Sequence, residues 1–255
     1  MNILFNKKLS QNYHSQSQKI RILTEDWVDK EIFCPNCGTN VSHYKNNRPV
    51  ADFYCSKCNE DYELKSKNDS FGLKIVDGAY KTMIERLNSN NNPNLFLLNY
   101  DLRNYEVFDF IVIPKHFFIS EIIERRKPLS ETAQRAGWVG CNILLQNIPQ
   151  TGKIFYIKNR IIEPKSVVLE KWHKTLFLRE EKEAKEKGWI FDIMNCIEKI
   201  GSKEFTLDKV YGFESLLSKK HPDNKHIKDK IRQQLQFLRD EGYLKFLNRG
   251  TYKLI

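Results

Sequence analysis

Four cysteines stand as two C-x-x-C pairs, Cys34 with Cys37 and Cys55 with Cys58. The chain between the pairs is short enough for four thiolates to close a tetrahedron around one zinc ion. Four protein ligands leave no open coordination position, so such a Zn²⁺ is structural and performs no chemistry. Disulfide pairing is the alternative. A chain without a secretion signal sits in a reducing compartment, and redox motifs seldom come as such a pair, which favours zinc. Cys141 and Cys196 stand alone and are expected to be small buried residues.

A second pattern begins inside the cysteine loop. Pro49 and Asp52 are followed by Glu63-Leu64-Lys65, which fits the P-D…(D/E)-x-K signature of metal-dependent nucleases. Glu63 and Lys65, two apart on a strand, point to one side of a sheet, and Asp52 on a paired strand can face them. Asp52 and Glu63, with the backbone carbonyl of Leu64 as a third ligand, can hold Mg²⁺ against a scissile phosphate. Metal-bound water is more acidic, and the Lys65 ammonium can orient that water or offset developing charge. Such triples also arise as surface ion pairs in lysine-rich chains. The order of the elements around this one argues for a nuclease core.

The elements that must position these residues follow from hydrophobic period. Residues 18–30 read as an amphipathic helix with Ile20, Ile22, Leu23 and Trp27 on one face. Residues 49–54 and 62–65 alternate like two strands of a hairpin, and residues 77–87 read as a helix with Asp77 as its N-cap. The apolar runs 95–100 and 107–113 suit strands inside a sheet flanked by helices. Residues 154–157 and 161–162 form a late hairpin. The charge run 179–187, whose only apolar residue is Ala184, reads as a solvated helical connector. We place the domain boundary there, giving domains 1–185 and 186–255. Beyond it, helical patterns at 189–200, 207–218 and 224–241 precede a hairpin, 243–247 with 251–255, around Asn248-Arg249-Gly250. Three helices and a hairpin describe a winged helix.

Forty-two Lys and Arg against thirty-two Asp and Glu give a net charge of +10, a balance suited to a polyanionic partner. In the last helix Ile227, Ile231, Leu235 and Leu238 make one buried stripe. Lys225, Lys228, Arg232, Gln233 and Gln236 lie on its other faces, residue types that contact phosphates and base edges. Arg249 and Lys253 would let the hairpin touch the DNA backbone. A protein-interaction module with merely solvated charges is the alternative. No apolar run approaches the roughly 18 residues needed to span a bilayer, and the start of the chain has no signal-peptide character, so a cytoplasmic protein is expected.

With these motifs in place, the sequence resembles the DpnI restriction endonuclease family over nearly its whole length. The resemblance is carried by residues 18–27 (QKIRILTEDW), 46–67 (NNRPVADFYCSKCNEDYELKSK), 135–142 (RAGWVGCN) and 226–240 (HIKDKIRQQLQFLRD). It implies a type II enzyme that cuts double-stranded DNA at GATC when adenine carries an N6-methyl group. The implied fold is α/β, a PD-(D/E)xK nuclease core with an inserted zinc-binding loop, followed by a winged helix. Asp52, Glu63 and Lys65 match the family's catalytic triad, and Cys34, Cys37, Cys55 and Cys58 its zinc ligands. A monomer is expected. Trp138, flanked by Gly137 and preceded by Arg135, reads by itself as a partly buried anchor, and the resemblance turns both residues into DNA contacts. An N6-methyl group projects into the major groove, where a flat apolar surface rewards it by about 0.8 kcal/mol per buried carbon. The competing reading is a non-catalytic, zinc-containing winged-helix regulator, which has no use for an acid-acid-lysine triad.

Overall fold

The structure, a computed structural model, describes residues 1–45, 51–68, 70–89, 91–181 and 184–255. They form two compact units, residues 1–145 with 151–175, and residues 146–150 with 176–255.

The first unit opens with α1 (Gln16–Glu31), which buries Ile20, Leu23, Trp27 and Val28. These positions recur at helical spacing, whereas Ile22 lies off the stripe and is only half-buried. Three strands follow, β1 (Ser42–His43), β2 (Phe53–Tyr54) and β3 (Asp61–Lys67), paired antiparallel in that order. The first strand expected in this hairpin survives only at its end, with Pro49 and Val50 outside the described residues.

Next come β4 (Lys74–Ala79) and α2 (Tyr80–Asn88). Asp77 is therefore not a helix cap: Ala79 holds the N-cap position. Burial alternates along β4, with Ile75 and Asp77 in and Lys74 and Val76 out, and that period of two overrides the short-range capping signal. The strands β5 (Asn94–Asp101) and β6 (Glu106–Ile113) form where the apolar runs place them. Then follow β7 (Ile123–Arg125), β8 (Gly140–Leu144), β9 (Ile154–Lys158), β10 (Ile161–Ile162) and α3 (Lys165–His173).

Among the described residues the main sheet has seven strands in the order β1-β2-β3-β5-β6-β9-β10. Only β3 and β5 run parallel, and the crossover that a parallel pair requires contains β4 and α2. A smaller sheet has the order β4-β8-β7. Every residue of β5 except Asp101 is buried, as expected for a strand covered on both faces. Register puts Glu63 opposite Leu95 and Lys65 opposite Leu97, so the two charged side chains share one face of the sheet. The other face carries an aromatic file. Tyr62 stacks on Phe96 at 4.4 Å, Phe96 meets Phe110 at 5.0 Å, and Phe110 meets both Tyr156 at 5.4 Å and Trp27 of α1 at 5.3 Å.

The second unit holds α4 (Ala184–Ile200), β11 (Glu204–Thr206), α5 (Leu207–Tyr211), α6 (Glu214–Lys220), α7 (Ile227–Asp240), β12 (Leu244–Asn248) and β13 (Thr251–Leu254). Its sheet has the order β11-β13-β12. The short strand β11 lies outside the pattern expected from sequence. The single helix expected over 207–218 breaks at Gly212 and Phe213, where glycine is a poor helix former. Ile227, Ile231, Leu235 and Leu238 are all buried. Gly250 turns the hairpin with φ +73°, a conformation that a side chain would strain.

The charge run is not a uniformly solvated connector. Arg179 ends a short 3₁₀ turn (Leu176–Arg179), Lys182 and Glu183 fall outside the described residues, and Ala184 begins α4. There Glu186 accepts hydrogen bonds from Lys230 at 2.7 and 2.9 Å and from the buried Gln234 at 3.2 Å. Glu186, which looks free in sequence, is tied to α7.

Phe110 is fully buried where three aromatic rings converge. Phe110→Ala should cost about 3–5 kcal/mol of stability, read as a lower midpoint in thermal or denaturant unfolding.

Candidate active site and metal centre

The four cysteines of the two pairs converge, with all Sγ atoms within 4.8 Å of one another. The shortest approaches are Cys34 to Cys58 at 3.4 Å and Cys37 to Cys55 at 3.3 Å. Sulfurs on a tetrahedral ion with 2.3 Å bonds stand about 3.8 Å apart, so the cluster has the size and donor set of a metal centre. Each pair closes a tight turn, in which Gly38 N–H donates to Cys34 C=O at 2.8 Å and Asn59 N–H to Cys55 C=O at 2.9 Å. Both donors have positive φ, +75° and +57°, the conformation that Gly and Asn adopt most readily. Cys141 and Cys196 are buried and lie outside the cluster.

The main sheet braces this centre. The Tyr62 hydroxyl donates to Cys34 Sγ at 3.1 Å, and the Tyr156 hydroxyl to the Phe33 carbonyl at 2.7 Å. Glu60, buried at the hairpin turn, accepts from Asn94 Nδ2 at 2.9 Å and pairs with Lys115 at 3.3 Å. Tyr62 directly precedes Glu63, so the cysteine cluster and the acid share one stretch of strand.

Glu63 and Lys65 are brought together as their alternation implies, with Lys65 Nζ 2.9 Å from Glu63 Oε1. A residue that sequence reasoning treated as a helix cap completes the group. Asp77 Oδ1 lies 2.7 Å from the same ammonium, and its side chain is 4% exposed. Arg86 of α2 stands 3.7 Å from Glu63 Oε2. No hydropathy signal exposes this, because Asp77 is buried while the apolar Val76 beside it is exposed. Burial pulls the Lys65 pKa down, yet the attraction of Glu63 and Asp77 outweighs it, and the net shift is upward from 10.5. Lys65 is therefore a fixed cation at neutral pH.

Asp52 is not ion-paired to Lys65 among the described residues. It directly precedes β2, with its N–H donating to the Tyr62 carbonyl at 2.9 Å, and its Oδ2 accepts the Leu64 N–H at 2.7 Å, replacing a backbone acceptor. The carboxylate thus lies at the edge of β3, against the peptide between Glu63 and Lys65. In an extended strand the N–H and C=O of one residue point to the same edge, so the Leu64 carbonyl is directed to Asp52's side. Beside this edge runs a groove of about 480 Å³ lined by Arg21, Glu25, Asp52, Leu64 and Ser66.

In the segment before β8, Arg135 lies over the Trp138 ring at 4.8 Å from its centroid. The loop closes through Leu129 N–H to Trp138 C=O at 2.9 Å and Gly137 N–H to Leu129 C=O at 3.1 Å. Trp138 is half-buried and rests on Gly140, where a Cβ would come within 2.8 Å of the ring. In the second unit Lys228, Arg232, Gln233 and Arg249 are all exposed. Lys228 pairs with Glu214 at 3.4 Å, while Arg232 donates to the Tyr211 hydroxyl at 2.8 Å and pairs with Asp229.

The first unit is thus mixed α/β with a four-cysteine cluster and a charged edge, and the second combines helices with a three-stranded sheet. A match to the family described as DpnI, Dam-replacing family, covers residues 1–181. The Dam-replacing HTH domain of the same family matches residues 185–254. The chain belongs to this family, which implies a restriction nuclease carrying a DNA-binding helix-turn-helix.

Hydrogen bonds to a metal ligand typically carry 10- to 100-fold in affinity. Tyr62→Phe removes the donor to Cys34 and should weaken metal retention by about that factor, measured by chelator competition, while circular dichroism stays unchanged.

Proposed function

We propose that the chain is a type II restriction endonuclease that hydrolyses double-stranded DNA at GATC sites containing N6-methyladenine. In this reading residues 1–185 are a PD-(D/E)xK nuclease domain with a structural Zn²⁺ on Cys34, Cys37, Cys55 and Cys58, and residues 186–255 a winged helix. The observation that supports it is at β3, where Lys65 Nζ lies 2.9 Å from Glu63 Oε1 and the Leu64 N–H between them is held by Asp52 Oδ2 at 2.7 Å. Two carboxylates and a carbonyl are hard oxygen donors, the set that Mg²⁺ prefers. Asp52, Glu63 and the Leu64 carbonyl would hold the ion, which supplies Lewis-acid polarisation of the phosphoryl group and a more acidic bound water.

The protein's own groups do the remaining work. The Leu64 N–H fixes the rotamer of Asp52, and the β3–β5 ladder fixes the direction of Glu63. The Lys65 ammonium, held 2.9 Å from Glu63 and 2.7 Å from Asp77, can orient the attacking water or offset charge on phosphate. GATC and the methyl group come from the resemblance, and the description Dam-replacing accords with an activity keyed to adenine methylation. Arg135 and Trp138 on one unit, and Lys228, Arg232, Gln233 and Arg249 on the other, are the DNA-contacting residues.

Asp52→Ala or Glu63→Ala should abolish cleavage of methylated plasmid in Mg²⁺ yet leave specific binding in a gel-shift assay. Substantial cleavage by both variants would sink the assignment, and an uncut plasmid with the unaltered protein would favour a non-catalytic regulator.

Apolar contact with the two methyl groups of a palindromic site is worth about 1–2 kcal/mol, a factor of roughly five to thirty. One reader of this kind discriminates weakly, and two in sequence multiply. We expect methyl preference in both units. A chain ending near Lys185 should cut methylated GATC slowly with reduced discrimination, and residues 186–255 alone should bind methylated duplex more tightly than unmethylated. Equal cutting of both DNAs by the first, or equal binding by the second, would leave only one reader.

A further inference from the structure

Lys65 is held by two carboxylates from different parts of the chain. Glu63 lies two residues away on β3, and Asp77 comes from β4, which belongs to the smaller sheet. Asp77 is fixed by backbone pairing opposite Cys141, with Ile75 beside it opposite Ile143. Its Oδ1 faces the ammonium, and its Oδ2 is buried with no hydrogen-bond partner among the described residues. A buried carboxylate oxygen without a partner is costly, and the charge of Asp77 is spent on Lys65.

The use follows from the different fates of the two acids, and this step rests on the nuclease reading above. A divalent cation on Glu63 takes up that carboxylate's charge and repels an ammonium hydrogen-bonded to the same group. Arg86, 3.7 Å from Glu63, adds to that repulsion. The attraction left to Lys65 is then Asp77, whose strand does not carry the proposed metal ligands. We propose that Asp77 is a positioning residue, the anchor that keeps the Lys65 ammonium in place when Glu63 is engaged by the metal. It touches neither DNA nor metal.

The test pairs single-turnover cleavage of methylated duplex with accessibility of Lys65 to reductive methylation, read by peptide mass spectrometry with and without Mg²⁺. Asp77→Asn keeps an acceptor of the same shape and loses the charge. Without Mg²⁺, Glu63 still holds the ammonium, and Lys65 should stay as protected as in the unaltered protein. With Mg²⁺, Lys65 should become readily labelled in the variant alone, the cleavage rate should fall about 100-fold, and DNA affinity should not change. Asp77→Glu keeps the charge and should restore protection in Mg²⁺ with part of the rate, and it serves as the second variant if Asp77→Asn is poorly folded. Unchanged cleavage by Asp77→Asn would overturn the proposal, as would a lost rate with Lys65 still protected in Mg²⁺, the signature of a merely structural role. Failure of the nuclease reading is distinct, because the unaltered protein would then not cut at all.

Discussion

The strand that carries Glu63 and Lys65 is paired along six residues with β5 on one side, but its other neighbour, β2, is only two residues long. Among the described residues Phe53 pairs with Tyr62 and Tyr54 with Asp61, flanked by the Asp52 N–H to Tyr62 C=O and Cys55 N–H to Glu60 C=O bonds, and so short a ribbon is marginal by itself. The missing constraint is the cysteine cluster, which grips one pair just before the strands and one pair at their turn. A metal on four thiolates contributes directly to folding. Through Tyr62 and Glu60 the same region is fastened to the centre of the sheet, so the cluster and the β3–β5 ladder together hold the strand on which the charged edge depends.

That edge concentrates opposed charges at low exposure. Glu63, Lys65, Asp77 and Arg86 come from β3, β4 and α2 and have side-chain exposures between 4% and 23%. Such a group is stable only while its members compensate one another. Asp52 stands slightly apart, bound to a peptide N–H and adjacent to an open groove.

The second unit solves a different problem, presenting cations outward without losing its core. Buried Gln234 and the Glu186–Lys230 pair fix α4 against α7, and Tyr211 holds Arg232. Several cations of α7 have acidic or phenolic partners within the unit, Lys228 with Glu214 and Arg232 with Tyr211 and Asp229. With a net charge of +10, a steep loss of DNA affinity with salt is expected of the whole chain.

The cysteine pairs, the β5 and β6 strands and the stripe of α7 were legible in the sequence, because spacing and period act over a few residues. Glu63 and Lys65 were legible for the same reason, since strand alternation alone puts them together. The local patterns also gave two misleading results. The acid at position 77 looked like a cap next to a helix, and 207–218 looked like one helix. Only the tertiary structure decided that Asp77 faces Lys65, because β4 reaches that face by pairing with β8, which lies far along the chain. Only it decided that Glu186 in an apparently free charge run is bonded to Lys230, and that Asp52 binds the Leu64 N–H. Long-range partners of a charged side chain leave no trace in periodicity, since the energy that selects them is realised only after the strands have been placed.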